Sequence, residues 1–103
     1  MNINLFWCVK IMKHYIITYD ISDDKRRNKI YKLLRDYAVP VQYSVFEARL
    51  KDEDYLLLRY KLERLMKRDT DSIIFYRQCI RCQKDILRLG RSGEPFGDGI
   101  FIL

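Results

Sequence analysis

Tyr15-Ile16-Ile17-Thr18-Tyr19-Asp20-Ile21, followed by Ser22-Asp23-Asp24, is the stretch whose reading decides the fold. The residues before Asp20 are β-branched or aromatic throughout, the composition of a central strand buried on both faces. Asp20 interrupts the run. An ionised carboxylate inside a buried strand costs several kcal/mol unless it is paired or metal-bound, so the strand is expected to end there. Ser22, Asp23 and Asp24 are good helix N-cap residues.

Working outward, a helix is predicted to about Tyr37, with Ile30, Leu33, Leu34 and Tyr37 at i, i+3, i+4 and i+7 on one apolar stripe. Lys25, Arg26, Lys29, Lys32 and Arg35 occupy the other face, with Arg27 on a flank. Pro40 stands beyond the helix end as a stop signal. Val41 to Leu50 reads as extended, with a tight turn or bulge near Tyr43-Ser44 separating two strands. Lys51-Asp52-Glu53-Asp54 opens a second helix, Leu58, Leu62, Leu65 and Met66 give its buried stripe, and Lys67 and Arg68 suit its end. Asp69-Thr70-Asp71 makes a turn, and 72–78 is another strand.

The order β-α-β-β-α-β defines an α+β, ferredoxin-like unit: a four-stranded antiparallel sheet with both helices on one face. Residues 86–89 read as a further short strand. Gly90, Gly93, Pro95, Gly97 and Gly99 mark a loop before the apolar end Ile100 to Leu103. An apolar tail after such a loop suits pairing with another chain's sheet edge, so a dimer is expected, with residues 90–103 packing on the partner chain.

The chain has 103 residues, the size of one domain. Residues 12–103 are read as that domain. Residues 1–11 are apolar but carry neither a basic n-region nor a cleavage pattern, so they fail as a signal peptide. They are either an upstream start-site extension or an added edge strand. No apolar run approaches the roughly 18 residues of a membrane span. The 49% apolar and 33% charged composition is globular. Lys and Arg exceed Asp and Glu by 20 to 14, a net charge of +6 that permits an anionic partner, nucleic acid above all. Three cysteines make no even disulfide framework, which favours a reduced cytoplasm. Cys79 and Cys82 form a C-x-x-C, but a structural zinc needs four ligands, so two ordinary thiols near a strand end is the preferred reading.

The catalytic inventory is short. There is one histidine, His14, with no nucleophile elbow and no glycine-rich phosphate loop. Asp20, at a strand end, either caps the following loop or holds a divalent cation for phosphodiester chemistry. One chain offers too few well-placed carboxylates for the second role, but two copies of Asp20 facing each other across a two-fold axis would supply a pair. Six Lys and Arg lie between Lys25 and Arg35 with no carboxylate among them, the pattern of phosphate contacts rather than of i,i+4 pairing. Arg77, Arg81, Lys84, Arg88 and Arg91 form a second basic stretch. The aromatic signature of RNA-recognition sheets is missing, so contacts to backbone and shape are expected. Phe46 and Tyr43, near the turn, are either core or exposed at a dimer contact.

Tyr19-Asp20-Ile21-Ser22-Asp23-Asp24, Arg26-Arg27-Asn28-Lys29 and Val41-Gln42-Tyr43-Ser44-Val45-Phe46-Glu47, in this order and spacing, closely resemble the second CRISPR-associated (Cas) protein family, the small adaptation subunit also described as an endoribonuclease. The resemblance runs from about Met12 to Gln78. It implies a homodimer with a C-terminal strand packed on the partner's sheet, and it implies that Asp20 is the catalytic, Mg²⁺- or Mn²⁺-binding residue at the dimer interface. It implies further that Arg27 and Phe46 are linked to activity. Lys29 stands where some members have arginine. Lys25, Arg26, Arg27, Lys29 and Arg77 are the expected nucleic-acid contacts. Some members of that family cut single-stranded RNA or double-stranded DNA; others only bridge two dimers of the integrase subunit, the first Cas protein, during spacer capture. No residue has a clear claim as general base. The competing readings are a non-catalytic DNA-binding scaffold and an endoribonuclease toxin of the virulence-associated protein D type.

Overall fold

The β-branched and aromatic run forms the strand expected of it. In the computed structural model, which describes residues 12–91 and 95–96, strand β1 spans Lys13–Asp20. It is followed by α1 (Asp24–Arg35), β2 (Val39–Gln42), β3 (Val45–Leu50), α2 (Asp52–Leu65), β4 (Ser72–Gln78) and a short α3 (Ile80–Lys84). The sheet order is β2-β3-β1-β4, and every pairing is antiparallel. This is the expected ferredoxin-like arrangement, with β1 as a central strand.

Alternation along the strands sets the core. Tyr15, Ile17 and Tyr19 of β1 are buried, as are Phe46, Ala48 and Leu50 of β3. Tyr15 is paired with Ala48 and Ile17 with Phe46. Against this face lie Ile30 and Leu34 of α1 and Leu58 and Leu62 of α2, the centres of the two predicted stripes. Tyr15 stacks on Tyr55 at 4.9 Å, and both rings meet Phe75 edge-on. Such pairs add to the area they bury.

The opposite face differs from the expectation of burial on both sides. Ile16, Thr18 and Val45 are only half-buried there, and Ile74 and Tyr76 are exposed. A sheet with helices on one face leaves its other face for something else to cover. At one end of that face the chain covers itself. Arg88 reaches Glu47, and the Phe96 ring meets His14 edge-on at 5.8 Å.

Local signals set the element ends. Asp23 caps α1 by accepting the Arg26 N–H at 2.9 Å. Tyr43 and Ser44 make the turn between β2 and β3, with a register shift between Pro40 and Gln42 and Ser44 at φ 62°. A turn and a bulge therefore both occur where Val45 and Phe46 broke the expected alternation. Residues 86–89 do not form the expected strand: the chain turns through α3 straight after β4, and Arg88 is drawn across the sheet face to Glu47. The expected packing of residues 90–103 on a partner chain falls mostly on 92–94 and 97–103, which lie outside the described residues, as does the 1–11 extension. Among the described residues no helix is long and apolar enough to cross a membrane.

Candidate nucleic-acid interface and strand-end carboxylate

β1 carries Asp20 to its last position, opposite Ser72 of β4, and leaves it exposed. The chain beyond it is held from two sides. Arg27 donates to the Ile21 carbonyl oxygen at 2.9 Å and pairs with Asp24 one turn back. Ser22 donates its N–H and hydroxyl to Asp71 Oδ1 at 3.3 and 3.4 Å.

Asp71 anchors the loop that follows the strand. Its side chain is fully buried. Oδ2 accepts Arg26 Nε at 2.6 Å and the Lys67 N–H at 2.9 Å, while Oδ1 accepts Arg26 Nη2 at 3.1 Å and the Thr70 hydroxyl at 3.2 Å. One carboxylate thus ties together the β1–α1 loop, α1 and the turn before β4. The Arg26 guanidinium, helped by the Lys67 and Ser22 amides, holds its carboxyl well below the usual carboxylate range.

These contacts divide the basic stripe. Lys25, Lys29, Lys32 and Arg35 are exposed along α1. Arg26 and Arg27 are committed to Asp71 and to Asp24 with Ile21. Neither partner is the i,i+4 neighbour that the sequence excluded: Asp24 stands three residues before Arg27, and Asp71 stands 45 residues after Arg26. Arg77 is exposed on β4 opposite Tyr15. It lies roughly 15–20 Å along the sheet from Asp20, at ~3.3 Å per residue. Arg27, bonded to the Ile21 carbonyl, therefore lies at the Asp20 end of the sheet, and Arg77 does not. Phe46 is not part of this surface. It is 1% exposed beneath the Tyr19 and Tyr31 rings. Tyr43, by contrast, is 87% exposed at the hairpin tip.

A second cluster, His14 with Glu47 and Arg88, carries no signal in the local sequence. His14 and Glu47 are buried on the sheet face away from the helices. His14 Nε2 lies 3.0 Å from Glu47 Oε1, and Arg88 grips both carboxylate oxygens at 2.6 and 2.8 Å. Burial raises the Glu47 pKa, but the hydrogen bonds and charges of His14 and Arg88 outweigh it and bring the carboxyl down to about 2 from 4.5. Such a group contributes stability at pH above about 4.5, and the contribution is lost as pH falls toward 2. The thermal midpoint is therefore expected to fall across that window. Glu47→Gln should be the less stable protein at neutral pH, and its deficit should shrink as the pH falls from about 4.5 to 2 in a melting series. A deficit that does not change with pH would contradict the ion pairing.

The chemistry of Asp20 suits a metal ligand. A carboxylate oxygen is the donor that Mg²⁺ or Mn²⁺ takes, and an exposed position can be reached. Among the described residues, no group of three or more His, Cys, Asp or Glu side chains could hold a metal ion. The described residues of one chain thus supply a suitable ligand but not a complete site. His14, the lone histidine, lies at the opposite end of β1 from Asp20, roughly 20 Å away at ~3.3 Å per residue. It is also engaged with Glu47.

The motifs around Asp20 and the hairpin fall within one matched family. The family model for CRISPR associated protein Cas2 matches residues 12–86. The chain belongs to the Cas2 family. It is 45% identical over 82 residues to a CRISPR-associated endoribonuclease Cas2 of Chloroflexus aurantiacus, covering 79% of this chain and 88% of that relative. The crystal structure of Streptococcus pyogenes Cas2 matches with a TM-score of 0.67 at 30% identity, covering 75% of this chain and 99% of that one. A chain of a solved partial Cas6-RT-Cas1–Cas2 complex matches with a TM-score of 0.66 at 34% identity, over 84% of this chain and 93% of that one.

Proposed function

We propose that the chain is a CRISPR adaptation protein, a basic homodimer that binds nucleic acid along its backbone and bridges two dimers of the integrase subunit, the first Cas protein, in the cytoplasm. The observation that carries this reading is the likeness to a chain of a Cas1–Cas2 assembly over nearly that chain's whole length. The net charge of +6 and the exposed Lys25 and Lys29 along α1 suit phosphate contacts, which weaken steeply as salt rises. Residues 12–103 act as the domain, with the tail 90–103 closing the dimer.

A second reading is metal-assisted endonuclease activity on single-stranded RNA or double-stranded DNA. It draws on the relatives' name and on Asp20, an exposed hard-oxygen donor that a second copy would duplicate. Mg²⁺ or Mn²⁺, when bound, would supply an activated water and charge screening at the scissile phosphate. In this reading Asp20 is a metal ligand, and Lys25 and Lys29 hold the flanking phosphates. Arg27 fixes the carbonyl next to Asp20. Within one chain His14 lies at the far end of β1 and is engaged with Glu47, so it does not serve as a base at its own chain's Asp20.

A cleavage assay separates the two readings. Labelled RNA and DNA are incubated with wild type and Asp20→Ala, with Mg²⁺ and with chelator, and dimer mass is checked by light scattering. The nuclease reading expects at least a roughly hundredfold loss in Asp20→Ala and in chelator with the dimer intact. Equal cutting by both proteins, or none by either, leaves the bridging role alone.

A further inference from the structure

Cys79 and Cys82 sit where β4 hands the chain to α3, and the function proposed above uses neither. Both are exposed. Their sulfurs are 3.2 Å apart, and the Cys82 N–H donates to Cys79 Sγ at 3.3 Å. The turn between them is fixed by the Gln83 N–H donating to the Cys79 carbonyl oxygen at 2.9 Å and the Gln83 side-chain amide donating to the Gln78 carbonyl oxygen at 3.2 Å. A disulfide across this turn needs only a small side-chain rotation, because the backbone already holds the two sulfurs in contact.

We propose that Cys79 and Cys82 are a redox-active dithiol that closes to an intramolecular disulfide by exchange with a low-molecular-weight disulfide. In the first step the Cys79 thiolate attacks the small disulfide. A mixed disulfide forms on Cys79, and one small thiolate leaves and takes up a proton. The Cys82 thiolate then attacks the Cys79 sulfur. The Cys79–Cys82 bond forms and the second small thiol departs. The protein loses two electrons and two protons, and the small disulfide is reduced to two thiols. The roles follow from the environment. The Cys82 N–H, the Cys82 thiol and the Arg81 amide and guanidinium stabilise charge on Cys79 and lower its pKa, while the hydrogen bond to Cys79 raises that of Cys82. Cys79 is thus the attacking thiol and Cys82 the resolving one. The exposed pair is open to the reagent, and the bridge would lock the turn that leads the chain toward Arg88 and Glu47.

Oxidised glutathione is the probe, with tryptic mapping as the readout. Cleavage after Arg77, Arg81 and Lys84 puts the two cysteines on separate peptides, 78–81 and 82–84, so the bridge appears as one cross-linked species that dithiothreitol removes. Cys82→Ser should trap glutathione on Cys79, roughly tenfold or more faster than Cys79→Ser traps it on Cys82 at pH 7. Cys8 serves as the reference thiol on the same map. Independent glutathione adducts on the two cysteines of the wild type without the cross-link would overturn the proposal. Equal trapping rates in the two variants would overturn the assigned roles and the proposal with them.

Discussion

Phe46→Ala is expected to destabilise the protein by about 3–5 kcal/mol, a large part of the roughly 5–15 kcal/mol that holds a small domain together. The ring is 1% exposed, 5.4 Å from the Tyr31 ring and 6.0 Å from that of Tyr19, and its residue pairs with Ile17 across the sheet. In the wild-type protein the site is closed to solvent, so transfer and cavity costs add. The melting midpoint should fall by about 15–30 °C. Phe46→Leu, which keeps most of the volume, should recover more than half of that loss. The resemblance to the Cas2 family linked Phe46 to activity. With the ring buried, any such effect is expected to act through the fold: α1, whose Tyr31 covers the ring, also carries Lys25, Arg27 and Lys29. Loss of nucleic-acid binding in Phe46→Ala with an unchanged melting midpoint would contradict this account.

Asp71→Ala is expected to lower the midpoint on the order of 10–20 °C. The Asp71 side chain is fully buried, and its removal leaves the part-buried Arg26 guanidinium and two backbone amides without their acceptor. Here Arg26 loses both hydrogen bonds to the carboxylate, and the Ser22 and Lys67 amides lose their acceptor. Asp71→Asn keeps one oxygen and should fall between. The specific readout is hydrogen exchange: the Ser22 amide, two residues past Asp20, should lose protection in Asp71→Ala before the β1 amides do. Uniform loss across β1 would indicate global destabilisation only and contradict a local anchoring role.

The helices were legible because their periods are clean. Ile30 and Leu34, and Leu58 and Leu62, lie at helical spacing, while β1 was legible from its β-branched and aromatic composition, though not its one-sided burial. Asp20 was legible as a strand end because a carboxylate has nowhere to go in a buried sheet. What could not be read was which charges find which partners. Arg26 appears in sequence as one member of an unbroken basic run; its partner lies 45 residues away, brought near by β4 pairing with β1. Glu47 and Arg88 are likewise far apart, and a strand glutamate next to Phe46 carries no local sign that it will be buried. The extended run of residues 86–89 suggested a strand by composition, but a strand needs a neighbour, and among the described residues Arg88 ties that segment to the sheet face through its side chain instead.

The most direct test of the bridging role is the mass of the complex formed with the integrase subunit and a duplex DNA, measured by light scattering coupled to gel filtration at moderate salt. The account predicts a single assembly containing two copies of this chain between two integrase dimers. It further predicts that this assembly weakens when Lys25 and Lys29 are both changed to Glu. An integrase subunit that elutes alone while this chain remains a separate, well-folded dimer would contradict it.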